Sequence, residues 1–228
     1  MFIVIEGLDG AGKSTQVKLM HRLFEERYRQ HVEYLHFPRF DAPLYGELIA
    51  RFLRGELGAL DQVDPYLVAL LYAGDRQEAA SIIRNWLDDN KVVIVDRYVY
   101  SNIAYQCAKL PKDSDARSAL KQWILDLEYR HNGIPKPDLS LFLDVPFAFT
   151  ARKLAEQRQG DDRNYLNGKQ DIHESSLDLQ QRVREVYLDC AADDPAFRVI
   201  NCADPATGGM LNPDLIFQKI DHEIARHR

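Results

Sequence analysis

Gly7-Leu8-Asp9-Gly10-Ala11-Gly12-Lys13-Ser14 has the form G-x-x-x-x-G-K-[ST], and its surroundings decide the fold. Phe2-Ile3-Val4-Ile5 precedes it as a β-branched and aromatic run, and Val17, Leu19, Met20, Leu23 and Phe24 follow at helical spacing. A strand, a glycine loop and a helix therefore stand in the order that a phosphate-binding loop requires. At ordinary residue frequencies the bare pattern arises in roughly one chain of this length in a hundred. Glycines let backbone N–H groups turn onto phosphates, and the helix N-terminus adds partial positive charge. The loop residues Gly7 to Ser14, with Thr15 at the helix start, form the candidate site for a nucleotide's phosphates. Lys13 would reach the outer phosphates and the Ser14 hydroxyl would hold Mg²⁺.

Working outward, the 228 residues are long enough for a substantial core, and 46% of them are hydrophobic, so the chain is globular. A formal net charge of −6 argues against a general nucleic-acid or anionic-membrane binder. Anions would have to be held by a local basic cluster. Cys107, Cys190 and Cys202 are widely separated, without metal-type spacing, and read as free thiols of a reducing compartment. The apolar run before the loop is too short for a signal peptide, and no segment reaches the length of a membrane span. A cytoplasmic protein is the expectation.

Further along, Val32 to Phe37 reads as a second strand broken by Pro38, and Leu44 to Leu53 as a helical face. Asp64-Pro65 opens a long helix to about Asp89, with Asp as cap and Pro at the first helical position. Val92 to Val95 reads as a strand covered on both faces, ending at Asp96-Arg97-Tyr98. Helices are predicted from Ser101 and near Asp115, then a strand Leu139 to Leu143 ending at Asp144, and a helix from Phe147. Residues 157–168 are charged and glycine-containing and read as a mobile lid within one continuous domain, 1–228. A helix around Leu177 to Tyr187, a strand Phe197 to Ile200 and a closing helix complete the pattern. Alternation of this kind implies an α/β fold: a three-layer P-loop architecture with a mostly parallel five-stranded sheet and helices on both faces.

Ligands bind such folds at the carboxyl ends of the strands, which here carry the glycine loop, Arg39, Asp96-Arg97, Asp144 and Asn201. Asp96 occupies the place of an acid that holds Mg²⁺ opposite Ser14, although a strand-end acid also serves as a helix cap. The planar fork of Arg97 suits a phosphate; in a surface ion pair it would contribute little. Arg158 and Arg163 in the lid are candidate catalytic cations beside Lys13 and Arg97, since phosphoryl transfer spreads negative charge over the moving group.

Taken together, these stretches resemble the thymidylate kinase family of nucleoside-monophosphate kinases. The resemblance spans nearly the whole chain. It rests on Glu6 to Gln16, Phe37-Pro38-Arg39, Leu71-Tyr72-Ala73-Gly74-Asp75-Arg76, Asp96 to Gln106, Lys136-Pro137-Asp138-Leu139, Leu143-Asp144-Val145 and Arg163-Asn164-Tyr165. It implies that Asp9 contacts the sugar 3′-hydroxyl of dTMP and that Arg39 and Arg97 hold the acceptor phosphate. It sets Tyr72 against thymine, Arg76 on the base, and Ser101, Tyr105 and Gln106 on the base-facing side, with Tyr165 near the sugar. Tyr72 replaces the phenylalanine common elsewhere, and the acid that some members carry between Pro38 and Arg39 is missing. Some members have an arginine where this chain has Gly10; members with glycine supply it from the lid, which points to Arg158 first, Arg163 second and Arg152 more distantly. The resemblance also implies a homodimer.

The reaction so implied moves the γ-phosphoryl of ATP to dTMP, giving dTDP and ADP. A phosphate monoester with a second pKa near 6 is already largely a dianion at neutral pH and needs cations rather than a base. Two other readings stay open on sequence. A deoxynucleoside kinase would need a carboxylate near a 5′-hydroxyl, for which Glu6 is the candidate. A non-catalytic nucleotide-binding switch would need the loop but neither the arginine cluster nor the lid.

Overall fold

The computed structural model describes residues 1–112, 114–155, 161–169, 171–173 and 176–228. Strands β1 (Phe2–Gly7), β2 (Val32–His36), β3 (Val92–Asp96), β4 (Leu139–Asp144) and β5 (Phe197–Asn201) form one sheet in the order β2-β3-β1-β4-β5. Every strand pairing is parallel. Parallel pairing aligns all five carboxyl ends along one edge: Asp96 sits opposite both Ile5 and His36, and Asp144 opposite Asn201.

The period of two in a strand sends alternate residues to opposite faces, which builds two cores from one sheet. Phe2 and Val4 of β1, with Val93 and Val95 of β3, pack under α3 (Pro65–Asp88), α4 (Val99–Cys107), α5 (Asp115–Leu125) and α7 (Leu177–Asp193). Ile3 and Ile5, with Val92, Ile94 and Leu141, pack under α1 (Lys13–Arg22) and the closing helix α8 (Pro213–His227). β1 and β3 are buried at every position, as expected of strands covered twice. Cys107, Cys190 and Cys202 lie in these cores as free thiols, each pushed up to about 12 by burial.

Helix α2 (Tyr45–Leu53) lies off the sheet and packs on α3, with Ile49, Phe52, Leu53 and Val68 as a small third core. The approach is close at Gly74, where a Cβ would fall 2.2 Å from Cζ of Tyr45. The start of α3 follows the sequence reading: Asp64 accepts from the Tyr66 N–H at 2.8 Å and Pro65 takes the first helical position. Helix α4 begins at Val99, two residues before the expected start. α1 loosens into a π-turn at Leu23–Arg27, and α6 (Phe147–Ala155) leads to a 3₁₀ turn, Asp161–Leu166. On α3, Leu67, Leu70 and Ile82 are exposed, although their spacing marks them as an apolar face. No described helix is long and apolar enough to cross a membrane.

Candidate active site

Where the five strands end, a cavity of about 1010 Å³ opens between the glycine loop and helices α3 and α4. Asp9, Gly10, Ala11, Gly12, Lys13 and Ser14 line one end of it, and Arg39, Tyr72, Arg76, Asp96, Arg97, Ser101, Tyr105, Gln106 and Tyr165 line the rest. Gly7, Leu8 and Thr15 do not reach it. Arg158 lies outside the described residues, and Arg163 falls in the turn Asp161–Leu166.

The loop takes its shape from backbone that only glycine adopts easily. Gly10 has φ +78° and Gly12, which precedes α1, has φ +83°. A Cβ at Gly10 would also come to 3.0 Å from Lys153 Cβ on α6, so a side chain there would press on α6 as well as strain the backbone. The Lys13 ammonium folds back over the loop, 3.4 Å from the Gly7 carbonyl, 3.3 Å from that of Leu8 and 3.9 Å from Asp96 Oδ1. Asp96 is buried, and its Oδ1 has no hydrogen-bond partner.

Arg97 stands beside it with φ +67°, a left-handed conformation that costs a non-glycine residue about 1–3 kcal/mol. Its surroundings hold it there. The backbone N–H donates to the Ile5 carbonyl at 2.9 Å, and the guanidinium donates to Asp9 Oδ1 at 2.7 Å and to Ser101 Oγ at 3.3 Å. The Tyr105 hydroxyl donates to the other Asp9 oxygen at 2.9 Å. Behind this set, Glu6 accepts from the backbone N–H groups of Tyr98 and Ser101 at 2.9 and 3.2 Å. It also accepts from the hydroxyls of Ser101 and Tyr187 at 2.5 and 3.0 Å. Burial raises the Glu6 pKa, and the residue does not line the cavity. Glu6 thus anchors the first turn of α4, and through Ser101 the position of Arg97. Arg39 is turned away onto α3, donating to Asp75 through its backbone N–H and Nε at 2.9 and 2.8 Å.

At the far end, Arg76 is 1% exposed and forks onto Glu128, which is fully buried, with Nε 2.9 Å from Oε2. Asn102 Nδ2 donates to Glu128 Oε1 at 3.1 Å and to the Ala69 carbonyl at 3.0 Å. Tyr165 stacks on Phe40 at 3.7 Å between centroids, and its hydroxyl donates to Asp171. His173 sits between Phe52 and Tyr105, 5.4 and 4.9 Å from their ring centroids, and burial holds its pKa well below the ordinary range, so the ring is neutral. Asn102 Oδ1, Gln106 Nε2 and His173 Nε2, like Asp96 Oδ1, are buried cavity-wall atoms without hydrogen-bond partners. Buried polar atoms are ordinarily satisfied, so such a concentration marks a place where a ligand completes the bonding.

Glu128, Asp171 and His173 were not singled out from sequence. Asn102 had a readable signal, since it and Gln106 stand four apart on α4 as Tyr72 and Arg76 do on α3. Asp171 and His173 had none, because the segment 167–175 has no apolar period.

A parallel sheet carrying a glycine loop, a strand-end aspartate and an adjoining arginine defines a P-loop kinase of nucleotide-sized substrates. The thymidylate kinase family model matches residues 5–208. The Mycobacterium tuberculosis thymidylate kinase is 36% identical over 192 residues, 84% of this chain and 86% of that protein. A probable thymidylate kinase of Thermococcus kodakarensis is 35% identical over 209 residues, 90% of each chain. The solved thymidylate kinase of Candida albicans superposes with a TM-score of 0.72 at 25% identity, covering all of this chain and 93% of the other. The chain belongs to the thymidylate kinase family.

Proposed function

We infer that this enzyme transfers the γ-phosphoryl of ATP to dTMP, releasing dTDP and ADP, within dTTP synthesis. The observation that carries the reading is one cavity with the phosphate loop at one end and unpartnered amide groups of base-reading type at the other. ATP lies along Gly7–Thr15, with Lys13 on its outer phosphates. The acceptor phosphate goes to Arg97, joined by Arg39 once that arginine exchanges Asp75 for phosphate. The sugar lies by Asp9, Tyr105 and Tyr165, and the base lies against Tyr72 with Arg76, Asn102 and Gln106 at its edge. Ser101, read from sequence as base-facing, serves instead to brace Arg97.

The donor set fits Mg²⁺. This ion ordinarily takes one or two carboxylates and completes its shell with substrate phosphates and water, and Asp96 Oδ1 is a buried carboxylate oxygen without a hydrogen-bond partner on the cavity that Ser14 also lines. Bound there by Ser14 and Asp96, the ion would neutralise phosphate charge. The chain's own contribution is positioning and positive charge: Lys13, Arg97 and a lid arginine, Arg158 or Arg163, facing two anions that must meet. No side chain is asked to remove a proton from the acceptor. Glu6, the base that a deoxynucleoside kinase would need, is committed to α4.

Three further readings belong with this one. The segment around 157–168 closes over the substrates as a lid, supported by the Tyr165–Phe40 stack at its edge. The exposed Leu67, Leu70 and Ile82 on α3 are the homodimer contact. The protein works in the cytoplasm, in keeping with three unbridged thiols.

ADP release measured with thymidine, dTMP, dUMP, AMP, CMP and GMP tests the reading. dTMP should give the highest kcat/KM. Activity on thymidine without activity on dTMP would overturn it.

A further inference from the structure

Lys109 follows α4 and has a post in no part of the chemistry above. Its ammonium lies 4.8 Å from the Phe52 ring centroid and donates to Gln106 Oε1 at 2.7 Å. An ammonium has three donors and no acceptor, so a glutamine amide beside it can only turn its carbonyl that way. The Nε2 end then faces away, and it is the buried, unpartnered donor on the cavity wall. One helical turn earlier, Asn102 is fixed in the opposite sense: the Ala69 carbonyl and Glu128 take its Nδ2 and leave Oδ1 as the unpartnered acceptor. With Arg76 as a second donor, the wall reads donor and acceptor groups suited to a carbonyl, imide N–H, carbonyl edge of a pyrimidine.

We propose that Lys109 is a positioning residue: it locks the Gln106 amide with its N–H groups toward the base, and so gives the pocket its preference for a carbonyl-bearing base edge. The inference rests on the reading of Gln106 as base-facing. Burial lowers the Lys109 pKa to about 7. A neutral amine accepts as well as donates, so loss of that proton frees the amide to turn. Among the described residues, the groups facing Lys109 are Gln106 on α4, Phe52 on α2 and His173 ahead of α7, the last held neutral.

A double-mutant cycle on the full-length enzyme tests this, with KM for dTMP as the readout. Lys109→Met should raise KM about five- to tenfold, the worth of one hydrogen bond, with kcat nearly unchanged. Lys109→Arg, which also only donates, should restore the native KM. In a Gln106→Ala background, Lys109→Met should have no further effect. Between pH 6.5 and 8.5 the KM of the native enzyme should rise relative to that of Lys109→Arg, a comparison available even where Lys109→Met folds poorly. Additive effects of the two substitutions, or a silent Lys109→Met beside a harmful Gln106→Ala, overturn the role of Lys109. An unchanged KM in Gln106→Ala overturns the base-facing reading beneath it.

Discussion

At the phosphate end of the cleft, one unbroken stretch, Gly7 to Ser14, makes the site from backbone shape, and Lys13 and Asp96 complete it with their charged groups 3.9 Å apart. At the base end, no two neighbouring residues suffice. Arg76 comes from α3, Asn102 and Gln106 from α4, His173 from the segment before α7, and Glu128 from the turn after α5. There the functional side chains already hold partners inside the protein, and their remaining valences face the cavity. The difference separates chemistry from architecture. Phosphate binding is laid over a fold that stands without it, whereas base recognition is part of the packing of the helical layer. Damage to the first should therefore appear as lost turnover, and damage to the second as lost stability.

The sharpest way to break that contrast is Glu128→Ala. It leaves the Arg76 guanidinium buried without its counter-charge and takes an acceptor from Asn102. Removing one partner of a buried ion pair costs about 3–5 kcal/mol, so the urea midpoint should fall steeply. A loss below about 1 kcal/mol would place this pair with exposed ones, whose worth is of that size, and the base end would not be structural.

Lys13→Ala is the counterpart at the phosphate end. A lost cation at the transferring group should lower kcat by about 10²–10³-fold, equivalent to about 2.7–4 kcal/mol of the barrier. The urea midpoint should move far less than in Glu128→Ala, because the ammonium's contacts with the Leu8 and Gly7 carbonyls are long, 3.3 and 3.4 Å, and Asp96 is 3.9 Å away. A variant that kept its turnover, or lost its fold, would erase the distinction between the two ends.

The same contrast explains what the sequence made legible. Strand and helix positions came from local signals: the β-branched run at Val92 to Val95, the Asp64-Pro65 cap, and the glycine loop. The phosphate end was legible for the same reason, being contiguous. The base end was legible in part, since Tyr72 with Arg76, and Tyr105 with Gln106, could be named by resemblance, but their partners could not. Glu128 reads in sequence as one more charge on a helix, and only the tertiary fold brings it to Arg76. Arg39 is a different case: the resemblance assigns it to phosphate, and in the fold Asp75, the residue before Arg76, accepts from its backbone N–H and Nε. Leu67, Leu70 and Ile82 of α3 are exposed in the single chain.

The smallest expected effect sharpens the comparison by pH. His173 is 5% exposed, its Nε2 has no partner, and burial keeps its pKa well below the ordinary value. The unfolded chain takes up a proton on this residue as pH falls through about 6.5, while the native ring stays neutral. The unfolded state then binds more protons, so the stability contributed by the neutral ring is present above that pH and is lost below it. The slope approaches about 1.4 kcal/mol per pH unit. Glu6 acts in the opposite sense, because burial raises its pKa and the native state holds that proton more tightly, but it does so in native enzyme and variant alike. The quantity to measure is therefore the difference in unfolding free energy between the native enzyme and His173→Gln from pH 7.5 to 5.0. That difference should move against the native enzyme as pH falls. Parallel curves for His173→Gln would mean that the ring takes its proton in the folded state, and the base end would then be more open to solvent than its packing implies.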